Sequence, residues 1–206
     1  MHNNGEALQM IMLQRIIRKL FGLFGNTKNF EDAEARSGVY QASPFMTFQE
    51  FDRKFKKRVI RLPYKKQLDL AIDICKKLFA DYREFSETNQ WGDPELLLAA
   101  IDLIERSKFQ RTDKKEISGM MEKLEEIIPD TDDFGAADCA LNACSAIYYT
   151  LDFLISKDGE QIYFVGRCLY ETVDSKIQED DELTEAEIDR NGLMISTRNY
   201  LLQMTL

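Results

Sequence analysis

The sequence has one histidine, His2, in 206 residues. Ser–His and Cys–His nucleophilic pairs, and metal sites built on histidine, are therefore excluded for the body of the chain. The four cysteines, Cys75, Cys139, Cys144 and Cys168, form no CxxC pair. Each sits in a helical pattern, so buried reduced thiols in a reducing compartment are expected. Four prolines and ten glycines are too few for a many-turned β fold. No stretch alternates convincingly with period two, and no fixed-period repeat is present. No unbroken run of about 20 apolar residues occurs, so no spanning helix is expected. The apolar start is interrupted by Gln14, Arg15, Arg18 and Lys19. No small-residue cleavage site follows it, and a cleavable secretory signal is not expected. Gly22-Leu23-Phe24-Gly25 lacks the length and the lysine of a phosphate-binding loop. These absences point to a cytoplasmic protein that uses no cofactor or metal and has no identifiable catalytic residue.

What is present is a helical pattern. A hydrophobic fraction of 44% supports a sizeable core. The expected architecture is all-α: a single-domain multi-helix bundle over residues 47–206. Residues 1–46 form an appendage made of an amphipathic N-terminal helix and a linker. Charge is uneven. Residues 1–112 carry 19 basic and 15 acidic side chains, residues 113–206 carry 8 and 21, and the whole chain is at −9. That balance argues against general nucleic-acid binding and for an electrically bipolar molecule.

Taken in order, residues 7–24 place Leu8, Ile11, Met12, Ile16, Leu20, Phe21, Leu23 and Phe24 on an amphipathic helix whose charges are basic. It suits local packing, a second copy of the chain, or a membrane surface. Gly25 to Pro44 reads as a linker. Thr47 and Glu50 form a capping box that opens a helix with a Phe48, Phe51, Phe55 stripe. From Arg53 to Lys66 there are eight basic residues and no acidic one. The plain expectation is a solvated face that meets acidic surface elsewhere on the chain. Pro63 starts a helix that runs to about Glu87. Trp91-Gly92-Asp93-Pro94 then gives a tight turn, an N-cap and a first-turn proline. Trp91 is expected to anchor this turn on the core, with ligand stacking as the alternative. Asp113 and Glu116 make a second capping pair, opening a helix that reaches Ile128 and stops at Pro129. A helix follows from Glu160 to about Gln178. Thr184 with Glu187 opens one last helix through Leu202.

The organising stretch is Ile127 to Leu154. Pro129 ends one helix, an Asp cluster starts the next, and that next helix is rich in Ala, Cys and Ser, as a central packing helix would be. Asp130, Asp132 and Asp133 lie close together, and Asp138 and Asn142 share a helix face. Oxygen ligands at this density suit Ca²⁺ or Mg²⁺. An EF-hand register from Asp130 fails, because position five is Phe134 and position twelve is Leu141. The simpler expectation is that these aspartates cap the central helix. Trp91, Asp130, Asp132, Asp133, Asp138 and Asn142 are the candidate binding residues.

Arg61-Leu62-Pro63, the Ile-Cys-Lys-Lys-Leu run at 74–78, Trp91-Gly92-Asp93 and Leu124-Glu125-Glu126-Ile127-Ile128-Pro129-Asp130-Thr131-Asp132-Asp133-Phe134 occur in this order. The Ala/Cys-rich helix follows directly. Together these resemble the YjaG-like family of uncharacterised bacterial proteins, over about residues 47–206. The most specific part is Pro129–Phe134 followed by Ala140–Cys144. The resemblance implies an all-helical cytosolic fold. It supplies no activity, and so no catalytic residues. The expected role is a protein-binding or regulatory module, acting on another protein or as a homodimer. One version is an immunity-type protein that masks a basic nuclease or toxin with its acidic half. The competing readings are a divalent-metal- or carboxylate-dependent enzyme using the Asp130–Asp138 cluster, and an oligomer assembled through the N-terminal helix.

Overall fold

The structure is a computed structural model and describes residues 45–131, 133–134, 137–178 and 183–206. The expected N-terminal helix over 7–24 and its linker lie outside the described residues. Among those described there are eight helices and no strand. They are α1 (Phe48–Val59), α2 (Tyr64–Asn89), α3 (Pro94–Arg106), α4 (Lys114–Glu125), α5 (Asp138–Ser156), α6 (Gly159–Ile177), α7 (Glu185–Arg190) and α8 (Gly192–Gln203).

Helix α5 is the centre. Every position from Ala140 to Tyr148 is buried, so the helix has no solvent face over two turns. It packs mainly on α6 and α2, with α4 and α3 completing the enclosure. Ala140, Ala143, Cys144, Ser145 and Ala146 make this close approach physically feasible, because larger side chains would hold the neighbours apart. Asp138–Ser156 is long and apolar enough to cross a membrane by composition, with a mean hydropathy of 1.2, yet 72% of that window is buried inside the protein. It is the core helix of the bundle. Its hydroxyls are accommodated locally: Thr150 donates to the Ala146 carbonyl at 2.7 Å and meets the Cys75 thiol of α2 at 3.4 Å.

The outer helices follow their sequence signals closely. Thr47 caps α1 with the full box: its hydroxyl accepts from Glu50 N–H at 3.3 Å, and Glu50 accepts from Thr47 N–H at 3.1 Å. Phe51, Phe55 and Val59, four residues apart, form the buried face of α1. Phe55 presses on α6 where Gly166 leaves room. Asp93 caps α3 through Leu96 N–H at 2.9 Å, with Pro94 at the first position.

Two boundaries and one capping pair differ from the sequence expectation. Helix α4 ends at Glu125 and the chain to Pro129 is not helical. Asp113 does cap α4, through Lys115 N–H. Glu116 pairs with Arg106 at 3.1 Å instead of closing a box. The expected single last helix is two. Asn191 takes an extended conformation, ends α7, and caps α8 by accepting from Leu193 and Met194 N–H.

Polar side chains fix the connections between helices. Gln67, 5% exposed, donates its amide to the carbonyls of Val59 and Ile60 at the end of α1. Arg198, 3% exposed, donates to the Met46 carbonyl, the Tyr170 hydroxyl and the Asp189 carboxylate. One guanidinium thus joins the chain before α1 to α6, α7 and α8.

The Phe55–Gly166 contact is a direct test of this packing. A Cβ on Gly166 would lie 2.3 Å from Phe55 Cζ, inside a core that cannot yield. Gly166→Ala is expected to cost about 1–3 kcal/mol in equilibrium urea unfolding. Adding Phe55→Leu should recover part of that loss, since the two substitutions share one contact.

Candidate functional site

The described part of the acidic segment before α5 closes a turn of its own. Asp133 and Phe134 N–H both donate to the Asp130 carbonyl, at 3.1 and 3.2 Å, closing a turn several residues upstream. The N-cap of α5 is Ala137, whose own side chain makes no capping hydrogen bond. Asp138 falls in the first turn, where its charge complements the helix dipole. The described turn uses the backbone of Asp130, Asp133 stays exposed, and Asp138 bears out the expected complement to the dipole.

Phe134 is the residue of this segment that docks. Its ring lies 5.3 Å from that of Phe85 and 5.4 Å from that of Trp91, which is itself 6.1 Å from Phe85. Trp91 thus anchors its turn, as its position after α2 implied. Below this triad, fully buried Tyr82 accepts from Asp93 N–H and donates to the Ile127 carbonyl, both at 3.1 Å. Gly92, at φ +87°, leaves room for the Tyr82 hydroxyl, since a Cβ there would lie 2.3 Å from its oxygen. Aromatic packing and one hydroxyl therefore close this end of the bundle.

Of the predicted site residues, Trp91 is held in the aromatic triad, Asn142 is buried in α5, and Asp132 lies outside the described residues. Among the described residues no three His, Cys, Asp or Glu side chains are grouped as metal ligands.

Perturbed acids are also dispersed. Burial, then Glu122, raises the Glu125 carboxyl; burial, then Asp158, raises Asp152; burial, then Glu171, raises Asp174. They sit on α4, α5 and α6. Burial pushes the Cys75 thiol up to about 12 and raises those of Cys144 and Cys168 as well. These are poor nucleophiles.

The sequence reading gave less weight to the cationic end of α1. Lys54, Lys57, Arg58 and Arg61 line one open groove with Leu62 and Thr205, and no acidic side chain among the described residues enters its lining. Lys56, Lys57 and Arg58 in the last turn complement the helix dipole. Lys56 pairs with Glu160 at 3.2 Å, and Arg58 reaches the Leu202 carbonyl. Lys54, Lys57 and Arg61 have no ion-pair partner among the described residues. The expectation that this run meets acidic surface on the same chain holds for Lys56 alone. The signal was the run itself; which cations would stay unpaired depends on where α6 and α8 pack.

The raised Asp152 carboxyl sets a pH test. A carboxyl raised in the folded state contributes its full stability below its unfolded value, about 3.9. That contribution is lost as pH rises through the higher folded value. Asp152→Asn removes this loss. The variant should be the more stable protein at pH 7, with the difference in urea midpoint shrinking as pH falls toward about 4.

The comparisons with known proteins agree with the fold. "Uncharacterized protein YjaG" of Escherichia coli (strain K12) is 27% identical over 92 residues, which are 44% of this chain and 47% of that protein. The protein of the same name from Salmonella typhimurium is 26% identical over 92 residues, with the same coverage. The chain spans about half the length of the curated relatives it matches. A crystal structure of a DUF416 family protein from Shewanella baltica OS155 superposes with a TM-score of 0.65 at 25% identity, over 73% of this chain and 83% of that one. A family model described as "Protein of unknown function (DUF416)" matches residues 54–205, so the resemblance read from Arg61 to Cys144 holds and the chain belongs to the DUF416 family.

Proposed function

We propose that this chain is a non-catalytic binding module that docks an acidic protein segment on the cationic groove at the α1–α2 corner. The observation that carries this reading is the convergence of Lys54, Lys57, Arg58 and Arg61 on one groove without an acidic neighbour in its lining. In a protein of net charge −9, local positive potential of this kind steers an acidic partner while the remaining surface repels competitors. An acidic protein segment fits better than a nucleic acid. The groove lining offers no aromatic ring for base stacking, and the net charge opposes a long phosphate backbone.

The immunity-type version rests on the acidic half, and several of its carboxylates are already engaged: Glu116 with Arg106, Glu160 with Lys56, Glu171 with Arg167 and Asp189 with Arg198. The carboxylate-dependent enzyme draws no support from Asp133, which is exposed, or from Asp138 and Asn142, which belong to a packing helix.

Fluorescence anisotropy with labelled Glu-rich and Lys-rich peptides tests the proposal. The Glu-rich peptide should bind, weaken with added salt, and lose at least about tenfold in affinity in Lys54→Glu/Lys57→Glu/Arg61→Glu. These side chains are exposed and have no ion-pair partner among the described residues, so the variant should keep its melting temperature. Preference for the Lys-rich peptide would overturn the proposal in favour of the immunity-type version. Tighter binding of a single-stranded oligonucleotide, or an unchanged affinity in the variant, would also overturn it.

A further inference from the structure

A second groove lies between the start of α2, the α3–α4 connection and the end of α5. Its volume is about 640 Å³, within the range of small-molecule sites. The lining divides by chemistry. Ile117, Leu154 and Ile155 give it an apolar wall, and Ile117 and Leu154 belong to the buried core. Arg111, Lys114 and Lys157 bring three cations to it. Asp113 is the one acidic member, and its carboxylate already accepts from Lys115 N–H at 3.1 Å.

Two details go beyond composition. Arg111 and Lys114 have no ion-pair partner among the described residues, although they stand close together in sequence. Lys157 occupies a left-handed conformation, φ 60°, at the end of α5, where glycine would be the less strained choice. Its ammonium donates to the Tyr64 hydroxyl at 2.9 Å and lies 4.5 Å from the centre of that ring. The Tyr64 oxygen accepts there, so its own proton is free to be donated into the groove.

We infer that this groove binds a small phosphate monoester, with the phosphate among Arg111, Lys114, Lys157 and the Tyr64 hydroxyl, and an apolar or aromatic body against Ile117, Leu154 and Ile155. Guanidinium and ammonium groups recognise phosphate oxygens by charge-assisted hydrogen bonds. The Tyr64 hydroxyl supplies a neutral donor to the same oxygens. The core side chains define a fixed wall for the body of the ligand. No bond is made or broken in this inference; it concerns binding alone. It is independent of the cationic corner at α1, which shares no lining residue with this groove.

The test is an NMR titration of the ¹⁵N-labelled full chain with phenyl phosphate, and separately with its two halves, inorganic phosphate and phenol. Saturable shifts are expected for amides around 107–117 and 154–157, with phenyl phosphate binding tighter than either half. Arg111→Ala/Lys114→Ala should weaken phenyl phosphate by at least about tenfold. Both side chains are exposed, so the amide spectrum elsewhere should be preserved and loss of fold is distinguishable from loss of binding. The charge-reversed α1 variant should bind phenyl phosphate as the parent does. The inference is overturned if no saturable shift appears up to about 10 mM ligand, if the double variant binds as well as the parent, or if phenol binds as tightly as its phosphate.

Discussion

The structure depends on the enclosure of α5. A helix buried on every face must meet neighbours on several sides at short distance. The run from Ala140 to Ala146 satisfies that with alanine, cysteine and serine at five of seven positions. Small residues bury little area each, so the stabilisation comes from how closely α2 and α6 can pack around them. The same enclosure governs the chemistry of the interior. Cys144 and Cys168 sit in surroundings that hold their thiols protonated, and the Thr150 hydroxyl turns back to its own helix. The core is a packing device.

With the core so closely filled, the polar interactions that fix topology lie where helices end. Tyr82 fastens the α2–α3 turn to the Ile127 segment, Gln67 closes the end of α1, and Arg198 joins four parts of the chain. Each is a buried side chain that satisfies backbone groups or charges that would otherwise be costly to bury. The two ends of the bundle differ in consequence. At one, Phe85, Trp91 and Phe134 close the turn with aromatic surface. At the other, the α1–α2, α3–α4 and α5–α6 connections carry Arg61, Arg111, Lys114 and Lys157. Helix α2 separates them by 26 residues, roughly 39 Å at 1.5 Å per residue. The acidic segment that looked like a site belongs to the closed end. The open grooves are at the cationic end.

This division explains how charge is used. The chain is acidic overall, yet Lys54, Lys57, Arg61, Arg111 and Lys114, which have no ion-pair partner among the described residues, line two grooves near the same set of connections. Carboxylates from the acidic half are drawn into pairs that hold helices together, as Glu160 does with Lys56 and Asp189 with Arg198. The exposed Lys56–Glu160 pair contributes little stability by itself, whereas Asp189 neutralises the buried Arg198 guanidinium. The pairs also determine which cations have no carboxylate partner among the described residues.

Sequence alone determined the helices, most of their starts, and the identity of the central one. Caps and turn residues act within four positions of one another, and apolar periodicity is a property of a single helix, so Thr47, Asp93, Pro94 and the Phe51–Phe55 stripe could be read directly. It also determined that the chain lacks a histidine-based catalytic apparatus. Tertiary structure decided what the acidic run before α5 does. Whether an aspartate caps a helix depends on the path of the turn, and here Phe134 draws that turn toward Phe85, 49 residues away. It likewise decided that Arg198 is buried, that Asn191 divides the last helix, and that Lys54, Lys57 and Arg61 stay unpaired. Those outcomes depend on contacts between residues far apart in the chain, and local spacing carries no record of them.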